Sequence, residues 1–298
     1  MQKITIGTRG SELALWQAHF TRDLLEKLGV EVELKIIKTQ GDAIQHLSFD
    51  KMEGKGFFTK EIEAELLNGN IDLAVHSHKD LETSNLEGLT VAAVSYRENP
   101  VDTLLIRPES VDQNGKFLLK ENAIVGTSSA RRKSQLLTRR PDIQLKDLRG
   151  NVPTRINKLL EGQYDAIVLA KAGLSRIKVD TKDLVIYDFN PTEFVPAPAQ
   201  GVLGWQCRDN DERVLEILSK IHHPEIQETI AVERKVLNLL EGGCQMPLGC
   251  FCVKENDTFK VQTAFSTAWN EPCDYYVHEA KSAEGLAEQI ISDLKKKA

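Results

Sequence analysis

Strand and helix patterns alternate along most of this chain, and this alternation restricts the fold more than any other feature. The short runs Lys3–Thr8, Ile71–His76 and Ala166–Ala170 are typical of strands. The stretches Ser11–Leu28 and Ser129–Arg139 have the spacing of amphipathic helices. Strands that alternate with helices form a parallel or mixed sheet covered on both faces. We therefore expect an α/β fold, with two such series in the first two thirds of the chain.

The C-terminal part has a different pattern. Three predicted strands, Cys250–Lys254, Lys260–Ser266 and Tyr275–Ala280, precede a helix that begins at Ala283. This order is typical of a small α+β unit. The Pro- and Ala-rich stretch Phe194–Gly201 predicts a stiff connector or hinge, because proline restricts its own backbone and that of the preceding residue.

The charge of the chain is unevenly distributed. The formal net charge is −6, which argues against a nucleic-acid coat or an anionic membrane surface as partner. Between Gly126 and Lys158, however, nine Lys or Arg and two Asp give +7, which leaves −13 elsewhere. Arginine matches carboxylate or phosphate with a planar fork of donors, so this segment suits an anionic ligand. A solvated charged surface is the alternative explanation.

Two strand-to-helix junctions resemble each other. Gly7-Thr8-Arg9-Gly10-Ser11 and Gly126-Thr127-Ser128-Ser129 both place Gly, Thr and Ser where a helix begins. The free amides and positive dipole end of a helix N-terminus suit anions. The two junctions are either ordinary helix caps or paired anion sites in two similar domains.

Asp80 follows a buried strand, at the kind of edge where open α/β sheets bind ligands. A carboxylate there is a candidate acid, base or stabiliser of a cation, and Lys79 could neutralise a substrate carboxylate. If the strand continued, His76, His78 and Asp80 would share one face and could hold a metal ion. A strand-end salt bridge beside a packed histidine is the simpler alternative.

Cys244 stands out among the five cysteines because it follows Gly242-Gly243 and precedes Pro247 in a predicted tight loop. It is the best candidate for covalent attachment, with a structural loop thiol as the alternative. Zinc is disfavoured because Cys250 and Cys252 lack the Cys-x-x-Cys spacing. With no signal-peptide pattern and an odd number of cysteines, we expect a cytoplasmic protein.

The glycine-flanked stretch around Lys55 and Phe58 lacks a Walker pattern and is interpreted as a lid. Together with the features above, it resembles the hydroxymethylbilane synthase, or porphobilinogen deaminase, family over nearly the whole chain. The segments that carry the resemblance are Thr8–Ser11, Leu13–Ala18, Gly54–Gly56 with Lys60-Glu61, Ala74–Asp80, Val125–Arg132, Leu148–Val152 with Arg155, Tyr164–Arg176, Gln200-Gly201 and Leu240–Gly249.

The resemblance implies two α/β domains similar to the lobes of periplasmic binding proteins, and a smaller C-terminal α+β domain. We place domain 1 at 1–95 plus 196–215, domain 2 at 96–195 and domain 3 at 216–298. The implied reaction condenses four porphobilinogen molecules head to tail with loss of ammonia, and hydrolysis then releases a linear tetrapyrrole. The implied partners are porphobilinogen and the growing oligopyrrole, without nucleic acid or membrane, and a monomer is expected.

The resemblance also assigns roles to residues. Cys244 would carry a dipyrromethane cofactor through a thioether bond, and Asp80 would be the catalytic carboxylate. Lys55 and Phe58 would belong to the lid, and no metal is implied. The groups expected to bind the acetate and propionate carboxylates are Arg9, Ser11, Ser77, Lys79, Ser128, Ser129, Arg131, Arg132, Arg149, Arg155 and Arg176.

Four positions depart from the usual family pattern. His78 stands where Met is common, and Leu81-Glu82 stands where a hydrophobic residue and Pro are common. Ala197-Pro198-Ala199 replaces the more usual Ala-Val-Gly, and Gln206 replaces a frequent Glu. None of these changes affects Cys244 or Asp80.

Overall fold

The computed structural model describes residues 3–39, 59–241 and 246–296. The chain divides into two units. The first unit consists of Met1–Glu98 and Gly201–Gln227, and the second consists of Asn99–Gln200 and Glu228–Ala298. Each unit therefore contains two separate stretches of the chain.

The described strands are β1 (Lys3–Thr8), β2 (Glu31–Ile36), β3 (Leu73–Ser77), β4 (Leu89–Val94), β5 (Asp102–Ile106), β6 (Ile124–Gly126), β7 (Gln144–Lys146), β8 (Ala166–Ala170), β9 (Val185–Asp188), β10 (Leu203–Arg208), β11 (Leu248–Glu255), β12 (Thr258–Phe265) and β13 (Asp274–Ala280). The described α-helices are α1 (Glu12–Glu26), α2 (Lys60–Leu67), α3 (Ala130–Arg139), α4 (Val152–Leu160), α5 (Lys171–Ile177), α6 (Glu212–Ser219), α7 (Pro224–Leu239) and α8 (Leu286–Lys295).

The first unit is built on a mixed five-stranded sheet in the order β2-β1-β3-β10-β4. Strand β1 is parallel to β2 and β3, whereas β10 runs antiparallel to β3 and β4. Ile6, Leu73 and Trp205 are fully buried in this sheet. Helix α1 packs against it, and Thr21 Oγ1 accepts a hydrogen bond of 2.8 Å from Trp205 Nε1. This bond satisfies the one polar group of the buried indole.

The second unit contains a sheet with an equivalent order, β7-β6-β8-β5-β9. Strand β6 is parallel to β7 and β8, and β5 is antiparallel to β8 and β9. In each sheet, four strands run parallel to one another, and one antiparallel strand is inserted next to an edge strand. The ends of β1 and β3 adjoin in the first unit, as those of β6 and β8 do in the second, so loops that follow these strands share one sheet edge.

The second unit also contains an antiparallel sheet in the order β11-β12-β13. Cys250, Val261 and Ile290 are buried where this sheet packs against α7 and α8. The connector predicted at Phe194–Gly201 borders it, because the Pro196 carbonyl accepts a hydrogen bond of 2.9 Å from Cys250 N. The α/β class and the small C-terminal α+β part are confirmed.

The sequence patterns do not indicate β5, β7, β9 or α5. Strand β7 has only 3 residues and β9 has 4, too few to show a period. Helix α5 has 7 residues and contains Gly173, which weakens its helical signal. Strand β5 contains only three consecutive apolar residues, Leu104–Ile106, and its two partner strands lie far along the chain.

The shared face proposed for His76, His78 and Asp80 is wrong. Strand β3 ends at Ser77, and His78–Asp80 forms a short 3₁₀ turn. The alternation of side chains therefore stops before His78, because a turn does not keep the two-residue period of a strand.

Over the described ranges, none of the helices is both long and apolar enough to cross a bilayer.

Candidate active site

Asp80 is exposed at the end of the 3₁₀ turn that follows β3. The turn is closed by a hydrogen bond of 3.2 Å from Leu81 N to the carbonyl of His78. His78 and Leu81 are buried, so they anchor the turn on either side of the carboxylate. This arrangement presents a carboxylate to solvent or ligand from a short, fixed segment.

The other predicted groups of the first unit lie at the ends of the same two strands. Ser77 Oγ accepts a hydrogen bond of 2.9 Å from Gln17 Nε2, which ties the end of β3 to α1. Ser11 is the N-cap of α1 and accepts from Ala14 N at 3.4 Å. Arg9 and Lys79 are half-buried. The first unit therefore places Asp80 on the same sheet edge as a helix N-terminus and two cationic side chains.

His76 belongs to the interior of the first unit. Its Nε2 lies 3.1 Å from Oε1 of Gln206, and Gln206 Nε2 donates to Glu63 Oε1 at 3.1 Å. Burial lowers the pKa of His76 to about 4, against the opposing effect of the Gln206 hydrogen bond. His76 is therefore a neutral, packed histidine at pH 7. Within the described ranges, no group of three or more His, Cys, Asp or Glu side chains could hold a metal ion.

In the second unit, Ser128 joins the loops that follow β6 and β7. Its hydroxyl donates to the carbonyl of Leu148 and accepts from Leu148 N, both at 3.0 Å. Ser129 is the N-cap residue of α3, without a side-chain capping bond. Arg149 is half-buried in the loop after β7, and Arg155 Nε donates to the Gly150 carbonyl at 2.7 Å. Ser128, Ser129 and Arg149 thus lie on two adjoining loops, and Arg155 reaches the second of these loops from α4.

The side chains of Arg131 and Arg132 point into the interior of the second unit, where both bind the carboxylate of Asp102. Arg131 Nη1 donates to Asp102 at 2.6 Å and to the Val195 carbonyl at 2.9 Å. Arg132 donates to Asp102 through Nε at 3.1 Å and Nη2 at 2.8 Å. Gln200 Nε2 adds a bond of 3.1 Å to the same carboxylate. We call Asp102, Arg131, Arg132 and Gln200 the Asp102 cluster.

The Asp102 cluster is buried, and its two guanidinium groups and one carboxylate leave one net positive charge. Asp102 is fully buried, and Arg131 and Arg132 are 5% and 7% exposed. Burial opposes ionisation of Asp102, but the two guanidinium groups outweigh it and hold its pKa well below the usual range. Burial likewise lowers the pKa of Arg131, and Asp102 opposes this effect. A buried excess of positive charge favours an anionic ligand.

Sequence reasoning missed Asp102. The available signal is an acidic residue two positions before the apolar run Leu104–Ile106, since a charge at the end of a buried strand requires a partner. Arg176, on α5, is 6% exposed and therefore also lies inside the second unit.

Three of the predicted site residues, Cys244, Lys55 and Phe58, lie outside the described residues. The four described cysteines, Cys207, Cys250, Cys252 and Cys273, are all buried free thiols.

Each unit by itself therefore has a helix N-terminus and cationic side chains at one sheet edge, and the first unit adds an exposed carboxylate. This combination is the chemistry of an α/β protein suited to a small carboxylate-bearing ligand and to stabilising a positive charge on it. The family model described as porphobilinogen deaminase, dipyromethane cofactor binding domain, matches residues 4–216.

Two curated relatives extend that match. The porphobilinogen deaminase of Maridesulfovibrio salexigens is 47% identical over 263 residues, which cover 88% of this chain and 83% of the relative. That of Shouchella clausii is 46% identical, covering 86% of this chain and 82% of the relative. The chain belongs to the porphobilinogen deaminase family.

Among solved structures, the chain is similar to an arginine-specific periplasmic binding protein of Salmonella typhimurium. The TM-score is 0.44 at 11% identity, covering 78% of this chain and 94% of the other. This TM-score is too low to support a conclusion. The fold class rests on the strand orders and on the family match.

Proposed function

We propose that this chain catalyses the reaction of its family through the residues named above. The enzyme is a transferase that condenses four porphobilinogen molecules head to tail with loss of ammonia, and hydrolysis releases hydroxymethylbilane. The observation that carries the assignment to residues is the exposed Asp80 carboxylate at a sheet edge that also holds Arg9, Ser11 and Lys79.

Asp80 stabilises the positive charge that develops on the pyrrole as ammonia leaves. Its exposed carboxylate supplies a negative charge near the reacting ring. Arg9 and Lys79 neutralise the acetate and propionate groups of the incoming substrate, and Ser11 and Ser77 contribute hydroxyl groups. Binding through these side chains orients the ring against Asp80, which lowers the entropic part of the barrier.

The dipyrromethane cofactor fits the second unit because the Asp102 cluster carries an uncompensated positive charge and the cofactor carries carboxylates. Cys244 would attach it covalently. When bound, the cofactor supplies the pyrrole carbon to which substrate units are added. The residues that would hold its carboxylates are Ser128, Ser129, Arg131, Arg132, Arg149, Arg155 and Arg176.

Four further assignments belong to the same proposal. The three-domain division at 1–95 plus 196–215, 96–195 and 216–298 is proposed, and so is a lid that includes Lys55 and Phe58. The protein acts as a monomer, because one chain supplies every residue that the reaction uses. It acts in the cytoplasm, in keeping with the four described cysteines being free thiols. Gel filtration and cell fractionation test the last two assignments.

The Asp80→Asn variant tests the proposed role of the carboxylate. We expect it to bind porphobilinogen but to release ammonia roughly 100- to 1,000-fold more slowly, as for loss of one stabilising group in a transition state. The matched control is Glu87→Gln, which removes an exposed carboxylate from the loop between β3 and β4 of the same unit.

Full activity in Asp80→Asn would refute the role of Asp80. Wild-type protein that binds porphobilinogen but releases no ammonia would refute the enzymatic function and would indicate a binding protein for small polyanions.

A further inference from the structure

The loop Asp147–Gly150, which follows β7 and contains Arg149, is fixed at every residue. Tyr164 Oη donates to the Asp147 carbonyl at 2.7 Å. Ser128 holds both the N–H and the carbonyl of Leu148 at 3.0 Å. Lys158 Nζ donates to the Arg149 carbonyl at 3.0 Å. Arg155 Nε donates to the Gly150 carbonyl at 2.7 Å.

The side chains that fix this loop come from different elements. Tyr164 is 4% exposed and precedes β8, and its ring lies close to Gly126 at the end of β6. Lys158 lies in the last turn of α4. On the other side, Lys133 of α3 forms an ion pair of 2.7 Å with Asp147. The loop is therefore tied to α3, to α4 and to the sheet of the second unit.

Fixing a loop before a ligand binds has an energetic consequence. A free loop residue loses about 1–2 kcal/mol of backbone conformational entropy when it is ordered. If the backbone is already ordered, binding no longer includes that cost, and a guanidinium on it is preorganised for a carboxylate. The Arg149 backbone is in this state because its own carbonyl and both neighbouring residues are hydrogen-bonded.

We propose that Tyr164 and Lys158 are positioning residues that hold Arg149 ready for the carboxylate groups of substrate or cofactor. This inference rests on the proposed function for the identity of the ligand. Neither residue needs to touch the ligand, since both bind main-chain carbonyl groups of the loop. Ser128 contributes to the same task through Leu148.

The first measurement is hydrogen exchange of the peptide that spans residues 144–151. Tyr164→Phe removes only the hydroxyl, and Lys158→Met removes the ammonium group while keeping an unbranched side chain of similar length. We expect amide exchange in this peptide to rise about threefold to tenfold in either variant, as for loss of one hydrogen bond. Lys158→Arg restores a donor and should restore protection. Tyr187→Phe on β9 and Lys182→Met on the surface are the matched controls.

The second measurement is a double-mutant cycle on turnover of porphobilinogen. We expect Tyr164→Phe and Lys158→Met each to raise KM about threefold to tenfold while kcat changes less than KM. In an Arg149→Leu background, the same substitutions should change KM by less than about twofold, because their effect acts through Arg149.

Unchanged amide exchange in the loop would overturn the positioning role. The role would also be overturned if Tyr164→Phe and Lys158→Met raised KM by the same factor in the Arg149→Leu background as in the wild-type protein. A failure of the proposed function is distinguishable from both. It would appear as absent turnover in the wild-type protein, or as an Arg149→Leu variant with normal KM, and the exchange measurement would still report on the loop.

Discussion

Replacing Asp102 by Asn removes the one carboxylate that two buried guanidinium groups share. In the wild-type protein its oxygens accept from Arg131, Arg132 and Gln200 at 2.6–3.1 Å. Asparagine has nearly the same shape but retains one acceptor oxygen and no charge. Two buried cations then lose the carboxylate that pairs with them in the described part of the chain. Breaking a buried pair in this way costs about 3–5 kcal/mol, a large part of the 5–15 kcal/mol typical of a whole protein.

Native-state hydrogen exchange of the β5 and β8 amides measures this effect in the second unit directly. These strands pair from Asp102–Ala170 to Ile106–Ala166, so their slowest amides report the free energy of opening of the sheet. We expect that free energy to fall by about 3–5 kcal/mol in Asp102→Asn. Asp180→Asn, which removes an exposed carboxylate paired with Lys182, should leave it unchanged.

The pH dependence of stability tests the same prediction in a second way. Burial raises the pKa of Asp102, but Arg131 and Arg132 outweigh burial and depress it below its unfolded value of about 3.9. The ionised carboxylate therefore stabilises the fold fully above about pH 4, and this contribution is lost as pH falls further. The difference between wild type and Asp102→Asn should be flat from about pH 5 to pH 8 and should narrow below about pH 4. A loss below about 1 kcal/mol at pH 7, or a difference that grows in acid, would refute the account of the Asp102 cluster.

Three other substitutions follow from single contacts. Gly201→Ala should destabilise the protein by about 2 kcal/mol or more in thermal unfolding. The reason is that φ of Gly201 is 92° and a Cβ at this position would overlap the Glu98 carbonyl oxygen. An unchanged melting temperature would contradict this prediction. Asn151→Ala removes the cap of α4, whose Oδ1 accepts from Thr154 N at 2.9 Å, and should cost about 1 kcal/mol, whereas Asn151→Asp should cost little. The pKa of His76 is about 4 when folded, so wild-type stability should fall between about pH 6.5 and pH 4 by up to about 1.4 kcal/mol per pH unit. His76→Gln should remove that slope in urea titrations.

Local patterns in the sequence were sufficient to predict β1 and β3 of the first sheet and β6 and β8 of the second. The Gly-Thr-Arg-Gly-Ser and Gly-Thr-Ser-Ser junctions predicted β1–α1 and β6–α3, since strand period, cap residues and helix period all lie within a short stretch. The antiparallel strand β5 was not predicted. Its position depends on pairing with β8 and β9, and no local period encodes a partner so far along the chain.

The sequence did not reveal what the candidate site side chains contact. The basic segment pointed to Arg131 and Arg132 as ligand-binding groups, but their hydrogen bonds to Asp102 depend on a residue 29 or 30 positions earlier. Ser128 was chosen as an anion-binding hydroxyl, yet its structural partner is the main chain of Leu148. Such contacts follow from the tertiary arrangement of loops, which the period of a single element does not reveal.

Intact-mass spectrometry of the active protein tests the central claim most directly. We predict that protein which turns over porphobilinogen has a mass above that of the 298-residue chain by one covalent two-pyrrole adduct, and that peptide mapping assigns the adduct to Cys244. The Cys244→Ser variant should have the unmodified mass and no turnover. An unmodified mass for fully active protein, or an adduct on a different residue, would contradict the account.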